Sequence, residues 1–416
     1  MAEKVLAVGL ILPALSRSAA EEHLAELEKL IESAGGQVVD RMMAKRTAPD
    51  PATYVGSGKA LEIKAAALQS GTTLIVFDDD LSPAQIRNLE KVTELRVIDR
   101  SALILDIFAS RARSRESRTQ VELAQLEYML PRLTRAWTHL ERQAGGIGTR
   151  GVGETQLELD RRLTRNRISR LKEELKKIER IRETQRKGRN AAFTVALVGY
   201  TNAGKSTLFN RLTRGGAGAV DQLFATLDLK SQKAAFEMPR ETVVIDTVGF
   251  IRKLPHHLVA SFRSTMEEAV SADLVLHVID VSHPQYEDQK EVGEQVLGDL
   301  GVDPTRVVEV YNKSDRTEEL EFRRRDAVLV SALTGAGMDQ LIDRIRDREL
   351  ENGEVIHLEI PHNDSRMVAR LHAVAQVYEQ RVTDDATFVT AWIPRDAMHQ
   401  FEPYAAVNLL RPAKVS

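Results

Sequence analysis

Residues 199–206 have the types and spacing that hold a polyphosphate. Gly199 is followed, after four residues, by Gly204, Lys205 and Ser206. Glycines let successive backbone N–H groups turn toward phosphate oxygens, a lysine neutralises their charge, and a hydroxyl ligates Mg²⁺. We expect Lys205 to contact the β- and γ-phosphates and Ser206 to bind Mg²⁺. The predicted phosphate-loop residues are Gly199, Tyr200, Thr201, Asn202, Ala203, Gly204, Lys205, Ser206 and Thr207.

A second group is spaced to sense the terminal phosphate. Asp246 ends a predicted strand, where a carboxylate can orient Mg²⁺ through water, and Gly249 can bring its N–H to the γ-phosphate because it lacks a side chain. Thr226 is the candidate hydroxyl ligand of Mg²⁺ and the γ-phosphate, with Phe224 beside the nucleotide. Alone, this threonine also fits an ordinary strand and the aspartate a turn. Together with Lys205, these residues other than Phe224 are the predicted catalytic group.

A third motif predicts which base is bound. The carboxylate of Asp315 can accept hydrogen bonds from N1–H and the N2 amino group of guanine, whereas adenine has no N1–H. Asn312 is expected to bond N7 and to tie loops together, while the stem of Lys313 covers the base plane. Ser331 and Ala332 follow the last strand, where a backbone N–H is expected to reach O6. The motifs therefore predict guanine-nucleotide binding.

These motifs must lie at the ends of strands, and the apolar pattern places strands there. Short apolar runs alternate with helical patterns between residues 193 and 350, as in a doubly wound, mostly parallel sheet. Ligands bind at the carboxyl ends of the strands in such a sheet. The predicted strands are Thr194 to Val198, Thr242 to Ile245, Leu274 to Ile279, Val307 to Tyr311 and Val328 to Val330.

The chain as a whole is predicted to be an α/β protein in four parts, because 416 residues exceed one average domain. A small N-terminal α/β domain is predicted at 1–115, a helical hairpin at 116–190, the nucleotide-binding P-loop domain at 191–350 and a small α/β appendage at 351–416. The appendage is predicted to contain a strand at Val355 to Ile360, a helical stripe through Met367, Leu371, Val374, Val377 and Tyr378, and a strand at Thr387 to Ile393.

Two apolar stripes separated by glycines predict the hairpin. The stripes are Leu126, Leu130, Leu133, Trp137 and Leu140, and Ile168, Leu171, Leu175 and Ile178. Residues 145–153 contain five glycines and cannot hold a helix, which predicts an antiparallel hairpin with a mobile tip. Residues 161–190 contain thirteen Arg or Lys against four Asp or Glu. This excess favours RNA phosphates as partner, and a solvated helix face is the alternative.

Composition limits the remaining possibilities. The absence of cysteine excludes disulfides and thiolate metal sites and fits a reducing compartment. A net charge of -3 means that any nucleic-acid face is local. The apolar run at 5–15 is predicted to be a core strand rather than a secretory leader, and no run approaches the ~20 apolar residues of a transmembrane helix. We expect a cytoplasmic monomer without a membrane span.

Together the motifs resemble those of the HflX family of translational GTPases, over nearly the whole chain. The resemblance is carried by residues 199–210, 223–228, 246–251 and the glycine-rich 145–153 followed by Glu154-Thr155-Gln156. It implies a ribosome-associated GTPase that binds the large subunit and its RNA and dissociates stalled or idle 70S ribosomes under stress. It also implies a hairpin tip directed toward the peptidyl-transferase centre. The C-terminal part varies in the family, so 353–416 gains no role.

Two positions bear on the rate of hydrolysis. Phe250 stands where a Ras-like GTPase has a glutamine that orients the attacking water, so slow intrinsic hydrolysis and activation by a partner are expected. Asn202 stands where related GTPases use an asparagine to hold an activating K⁺, and the resemblance therefore implies a K⁺ site in addition to Mg²⁺ and GTP.

Two other functions fit parts of the sequence. An RNA-remodelling ATPase or GTPase would use Gly56 to Lys59 as a second phosphate loop, although two glycines and a lysine favour a plain turn and helix start. A metabolic P-loop kinase would have the phosphate loop without the guanine motif at Asn312 to Asp315.

The guanine motif gives a direct test. Replacing Asp315 by Asn removes the double acceptor, so GDP affinity should fall by about a hundredfold. Calorimetry of the two proteins with GDP and ADP measures this change. A variant that still prefers GDP over ADP as strongly as the parent would refute the assignment of the motif.

Overall fold

The computed structural model of the chain describes residues 2–133, 152–188, 192–215, 223–224, 226–253, 266, 268, 270–317 and 327–405. These residues form two compact units. The first contains the described residues up to Ile181, together with those of 220–228 and 251–264. The second contains the rest. Part of the predicted P-loop domain thus groups with the N-terminal residues.

A parallel four-stranded sheet forms the N-terminal part of the first unit, with strand order β2-β1-β3-β4. Its elements are β1 (Lys4–Ile11), α1 (Arg17–Ser33), β2 (Gln37–Lys45), α2 (Ser57–Ser70), β3 (Leu74–Phe77), α3 (Pro83–Thr93), β4 (Arg96–Asp99) and α4 (Arg100–Arg111). The apolar run at 5–15, which was predicted to be a core strand, contains β1 from Val5 to its end at Ile11. Buried Leu6, Val8, Ile75 and Phe77 form the core of this sheet.

Polar side chains fix where two of these helices begin. Ser82 and Gln85 form a capping box at α3, and Asp99 accepts the N–H of Ala102 at the start of α4. The predicted helix start near Gly56 is confirmed, since α2 begins at Ser57 and Lys59 pairs with Glu62 at 2.7 Å. This lysine is engaged on its own helix.

Two helices form the described arms of the predicted hairpin, α5 (Arg115–Met129) and α6 (Val152–Gly188). They meet through the apolar residues Leu123, Leu126, Leu130, Ile168, Leu171 and Leu175. Arg167 pairs with Glu122 at 2.7 Å across the same contact. The predicted glycine segment extends too far, because Val152 and Gly153 already belong to α6. Trp137, Leu140 and residues 145–151 lie outside the described residues.

A six-stranded sheet forms the centre of the second unit, with strand order β10-β9-β8-β5-β7-β6. Neighbouring strands are parallel except β6, which is antiparallel to β7. Its elements are β5 (Phe193–Gly199), α7 (Lys205–Thr213), β6 (Lys230–Lys233), β7 (Thr242–Asp246), β8 (Leu274–Asp280), α8 (Tyr286–Asp299), β9 (Val307–Asn312), β10 (Val328–Leu329) and α9 (Met338–Glu351). The doubly wound, mostly parallel prediction is confirmed.

The C-terminal residues form an antiparallel sheet in the order β11-β13-β12. Its elements are β11 (Gly353–Pro361), α10 (Ser365–Val374), β12 (Gln376–Val382), β13 (Ala386–Pro394) and α11 (Arg395–Met398). The prediction that Val377 and Tyr378 continue a helical stripe was wrong, because both lie on β12. A period of 3.6 and a period of 2 cannot be told apart over two residues.

Arg240 joins the C-terminal sheet to the six-stranded sheet. Its guanidinium lies 5.6 Å from the ring centre of Phe193 on β5 and 5.7 Å from that of Trp392 on β13. The same group donates to buried Glu349 at the end of α9, at 3.2 Å. The indole N–H of Trp392 donates to the carbonyl of Leu350, at 3.1 Å. These contacts fix both sheets to one helix end.

Membrane insertion finds no support among the described helices. None of them is both long enough and apolar enough to cross a bilayer.

Candidate active site

The phosphate loop lies between β5 and α7, as the sequence predicts. Gly204 precedes α7 with a φ of 93°, a conformation that L side chains rarely adopt. A Cβ at this position would lie 2.2 Å from Nδ2 of Asn312. Glycine is therefore required both by the backbone and by the close approach of the guanine motif.

Lys205 is buried inside the loop. Its ammonium donates to the carbonyls of Gly199 and Tyr200, at 3.0 and 2.8 Å. Burial lowers the pKa of Lys205 to about 8, although the Asp246 carboxylate acts in the opposite direction. A phosphate bound at this ammonium would favour its charged form, so the loop is suited to an anion.

The predicted Mg²⁺ ligands Ser206 and Asp246 are in contact. The hydroxyl of Ser206 donates to Oδ2 of Asp246 at 2.8 Å, at the carboxyl end of β7. A hydroxyl and a carboxylate at one strand end are oxygen ligands of the kind that Mg²⁺ prefers. The neighbouring Thr247 donates to the carbonyl of Leu197 at 2.7 Å, which holds this loop against β5.

Gly249 and Phe250 are bound directly to the phosphate loop. The N–H of Phe250 donates to the carbonyl of Gly199 at 2.9 Å, and the N–H of Thr201 donates to the carbonyl of Phe250 at 2.6 Å. A Cβ at Gly249 would lie 2.7 Å from Cα of Thr201. The structure thus brings Gly249 beside Lys205, as the predicted γ-phosphate contact requires.

Asn312 connects the phosphate loop to the guanine motif. Its side chain is 2% exposed. Its Nδ2 donates to the carbonyl of Ala203 at 2.9 Å, and its Oδ1 accepts the N–H of Ala332 at 2.9 Å. The predicted role of Asn312 in tying loops together is confirmed. Both backbone N–H groups that were expected at O6 of guanine donate within the protein: that of Ala332 to Asn312, and that of Ser331 to the carbonyl of Ala336 at 2.9 Å.

The remaining residues predicted to bind the base each bond to a neighbouring side chain. The hydroxyl of Ser331 donates to Oδ1 of Asp315 at 2.5 Å, and the ammonium of Lys313 donates to Oδ2 of Asp280 at 2.6 Å. Asp280 was missed by the sequence analysis. It ends β8 and pairs in register with Asn312, so its position at a strand end was the available signal.

Arg211 is a second residue that sequence reasoning missed. From α7 it donates to the carbonyls of Ala332 and Leu333, at 3.2 and 2.6 Å. These contacts hold the loop after β10 on the helix that follows the phosphate loop. An arginine on a helix with no motif gives no signal of such a role.

Thr226 and Phe224 belong to the other unit. Both are buried, and the ring of Phe224 packs edge-on against Phe108 of α4 with centroids 4.7 Å apart. The roles of Thr226 as Mg²⁺ ligand and of Phe224 at the nucleotide stay predictions. The other predicted residues lie in the second unit, and the contacts above connect most of them.

Three family models match the chain along its length. One described as "GTP-binding GTPase N-terminal" matches residues 21–109, and one described as "GTP-binding GTPase Middle Region" matches 111–189. A third, "50S ribosome-binding GTPase", matches 194–313. The third range contains the phosphate loop and reaches the guanine motif.

Curated relatives named "GTPase HflX" decide the family. The protein from Escherichia coli K12 is 46% identical over 377 residues, which cover 88% of each chain. The chain belongs to the GTPase HflX family. A second HflX relative, from Magnetococcus marinus, is 47% identical over 90% of this chain and 89% of its own. The crystal structure of the SsGBP and GDP complex is 26% identical, covers 83% of this chain and 98% of that one, and has a TM-score of 0.47.

Membership of the HflX family makes the chain a GTPase, and the geometry fits that activity. The loop predicted to bind phosphates and the motif predicted to select guanine are hydrogen-bonded to each other through Asn312. The resemblance noted in the sequence is therefore confirmed.

The pair of Asp280 and Lys313 gives a test of the guanine pocket. Asp280→Asn removes the charge that holds the Lys313 ammonium, so GDP affinity should fall by about fivefold. Fluorescent GDP titration measures the effect. Asp343→Asn, which breaks a surface pair with Arg346 in the same unit, should leave the affinity unchanged. Equal affinities for the parent and Asp280→Asn would show that the pair does not position Lys313.

Proposed function

We propose that this HflX-family GTPase binds the large ribosomal subunit in its triphosphate form and dissociates stalled or idle 70S ribosomes under stress. The observation that carries the proposal is the match of residues 194–313, which contain the predicted phosphate loop and the start of the guanine motif, to a model described as a 50S ribosome-binding GTPase. The relatives named GTPase HflX are similar to this chain over most of their length. A ribosome-associated, cytoplasmic location follows from the same proposal.

The basic helix α6 supplies a surface of the right charge. Arg162, Arg165 and Arg170 are exposed along it, whereas Lys172 pairs with Glu127 at 2.8 Å. Cations on an exposed helix attract RNA phosphates by releasing bound counterions. We assign α6 to contact with ribosomal RNA.

We assign hydrolysis of GTP to residues at the ends of β5 and β7. Lys205 and the loop amides bind the phosphates, and Gly249 contacts the γ-phosphate through its N–H. Ser206, Thr226 and, through water, Asp246 would hold Mg²⁺, which supplies charge neutralisation of the phosphates when bound. The contact between Ser206 and Asp246 supports this ligand set.

The partner is proposed to accelerate hydrolysis. Phe250 is buried, and a phenyl ring cannot orient a water molecule by hydrogen bonding. Asn202 is exposed at the loop with a φ of 62°, and its carbonyl oxygen suits the K⁺ that we propose there. Hydrolysis at this site therefore needs groups that a partner or a bound K⁺ would supply.

Ribosome dissociation tests the proposal as a whole. Incubation of 70S ribosomes with the protein and a non-hydrolysable GTP analogue should yield separate subunits on a sucrose gradient, with the protein on the large subunit. GDP or the Lys205→Ala variant should leave the ribosomes intact. Dissociation that is independent of nucleotide, or binding to the small subunit alone, would contradict the proposal.

The role of α6 is tested by charge removal. Changing Arg162, Arg165 and Arg170 to Gln should weaken binding to the large subunit by at least about tenfold and flatten its salt dependence. The matched control changes three exposed lysines of the N-terminal sheet domain, Lys29, Lys45 and Lys91, to Gln and should bind like the parent. Equal losses in both variants would indicate a general charge effect.

A further inference from the structure

Two segments of the predicted nucleotide switch are attached to the N-terminal unit. Residues 223–228 surround Thr226, and residues 251–253 follow Gly249 and Phe250 directly in the chain. The described residues of both segments cluster with residues up to 181 rather than with the six-stranded sheet. Each segment therefore has its own attachment just beyond a residue expected at the γ-phosphate.

The first segment is held on both sides of Thr226. Two residues before it, the ring of Phe224 packs against Phe108 of α4. Two residues after it, the carboxylate of Asp228 accepts the N–H groups of Arg113 and Ser114, both at 3.1 Å. Thr226 is thus the middle of a five-residue span that is fixed at each end.

Asp228 is bound where helix α5 begins. Ser114 is the N-cap of α5, and its hydroxyl accepts the N–H of Ser117 at 3.0 Å. Burial raises the pKa of Asp228, but hydrogen bonds from Ser117, Ser114 and Arg113 outweigh it and hold the pKa below its usual value. The carboxylate is therefore bound in its charged form, which also suits the positive end of the helix dipole.

The second segment is held by ion pairs. The ammonium of Lys253 donates to Oδ2 of Asp78 and to Oδ1 of Asp79, both at 2.6 Å. The carbonyl of Arg252 accepts from Arg100 at 3.2 Å. Arg100 is itself buried and paired with Asp78 at 2.7 Å. The two acidic residues follow β3, at the carboxyl end of the N-terminal sheet.

We propose that Asp228 and Lys253 are positioning residues, which hold Thr226 and Gly249 ready for the γ-phosphate by anchoring both switch segments to the N-terminal unit. This inference rests on the roles predicted for Thr226 and Gly249. Ordering a free loop costs conformational entropy, and an anchored loop has already lost part of that freedom.

The anchors should favour the triphosphate in particular. GDP has no γ-phosphate and gains nothing from an ordered Thr226 or Gly249, whereas GTP requires both. Loss of an anchor therefore lowers the affinity for GTP while the contacts made by Lys205 and the guanine motif persist. By linkage, binding of GTP must also stabilise the anchored form of α5.

The test measures the affinities of the full chain for GDP and for a non-hydrolysable GTP analogue, with Mg²⁺. In Asp228→Ala and in Lys253→Met, the affinity for the analogue should fall by about fivefold, and the affinity for GDP should stay within about twofold. Asp228→Asn retains one acceptor oxygen and should recover part of the loss. Single-turnover hydrolysis at saturating GTP separates an effect on binding from one on the chemical step.

Matched controls use the same chemistry away from the switch. Asp303 accepts the N–H of Thr305 at 2.9 Å, and Lys290 bridges Glu294 and Glu309, so Asp303→Ala and Lys290→Met should bind both nucleotides like the parent. Equal losses for GDP and the analogue in the anchor variants would show a merely structural role and overturn the proposal, as would no loss at all.

The Thr226→Ala variant tests the role of Thr226 separately from the anchors. Thr226→Ala should itself lose affinity for the analogue and not for GDP. If it does not, the role of Thr226 is wrong, whatever the anchor variants show. Hydrogen exchange supplies an independent readout, because the amides of Arg113 and Ser114 should be better protected with the analogue than with GDP. Identical protection would count against the coupling.

Discussion

The nucleotide site depends on one buried carboxamide. The side chain of Asn312 donates to the carbonyl of Ala203 in the phosphate loop and accepts the N–H of Ala332 in the loop after β10. A buried amide that lost either partner would cost about 1 to 3 kcal/mol, so the two loops are held at a fixed separation. Gly204 makes this possible because it leaves room for the amide. The separation of the predicted phosphate loop from the predicted guanine motif is thus fixed by the fold.

The residues of the predicted site belong to both units. The residues predicted to bind phosphate and guanine stand at the carboxyl ends of parallel strands, of which β5, β7 and β9 have a hydrogen-bonded neighbour on each side. Of the residues expected to detect the third phosphate, Gly249 follows β7 in the second unit, whereas Thr226 belongs to the first unit.

Motif spacing predicted the nucleotide site well because strand ends and glycines have local causes. The strands at 194–198, 242–245 and 307–311 were recognisable as apolar runs, and Lys205, Asp246 and Asn312 stand at or beyond the ends of these strands, where expected. Asp280 and Arg211 escaped notice because their partners, Lys313 and the carbonyl of Ala332, are brought to them only by folding. The attachment of residues 251–253 to Asp78 and Asp79 spans more than 170 positions, and no local pattern records it. Helical periodicity failed at Val377 and Tyr378 because two residues cannot distinguish a helix from a strand.

The stacking of Arg240 has a mechanical consequence. Phe193 opens β5, and the phosphate loop begins where β5 closes at Gly199, so the arginine touches the far end of the strand that carries the loop. The second ring that Arg240 contacts, that of Trp392, belongs to the C-terminal sheet. A displacement of the C-terminal sheet would therefore act, through Arg240, on the buried strand that ends at the phosphate loop. The C-terminal sheet is thus mechanically connected to the strand that positions the phosphate loop.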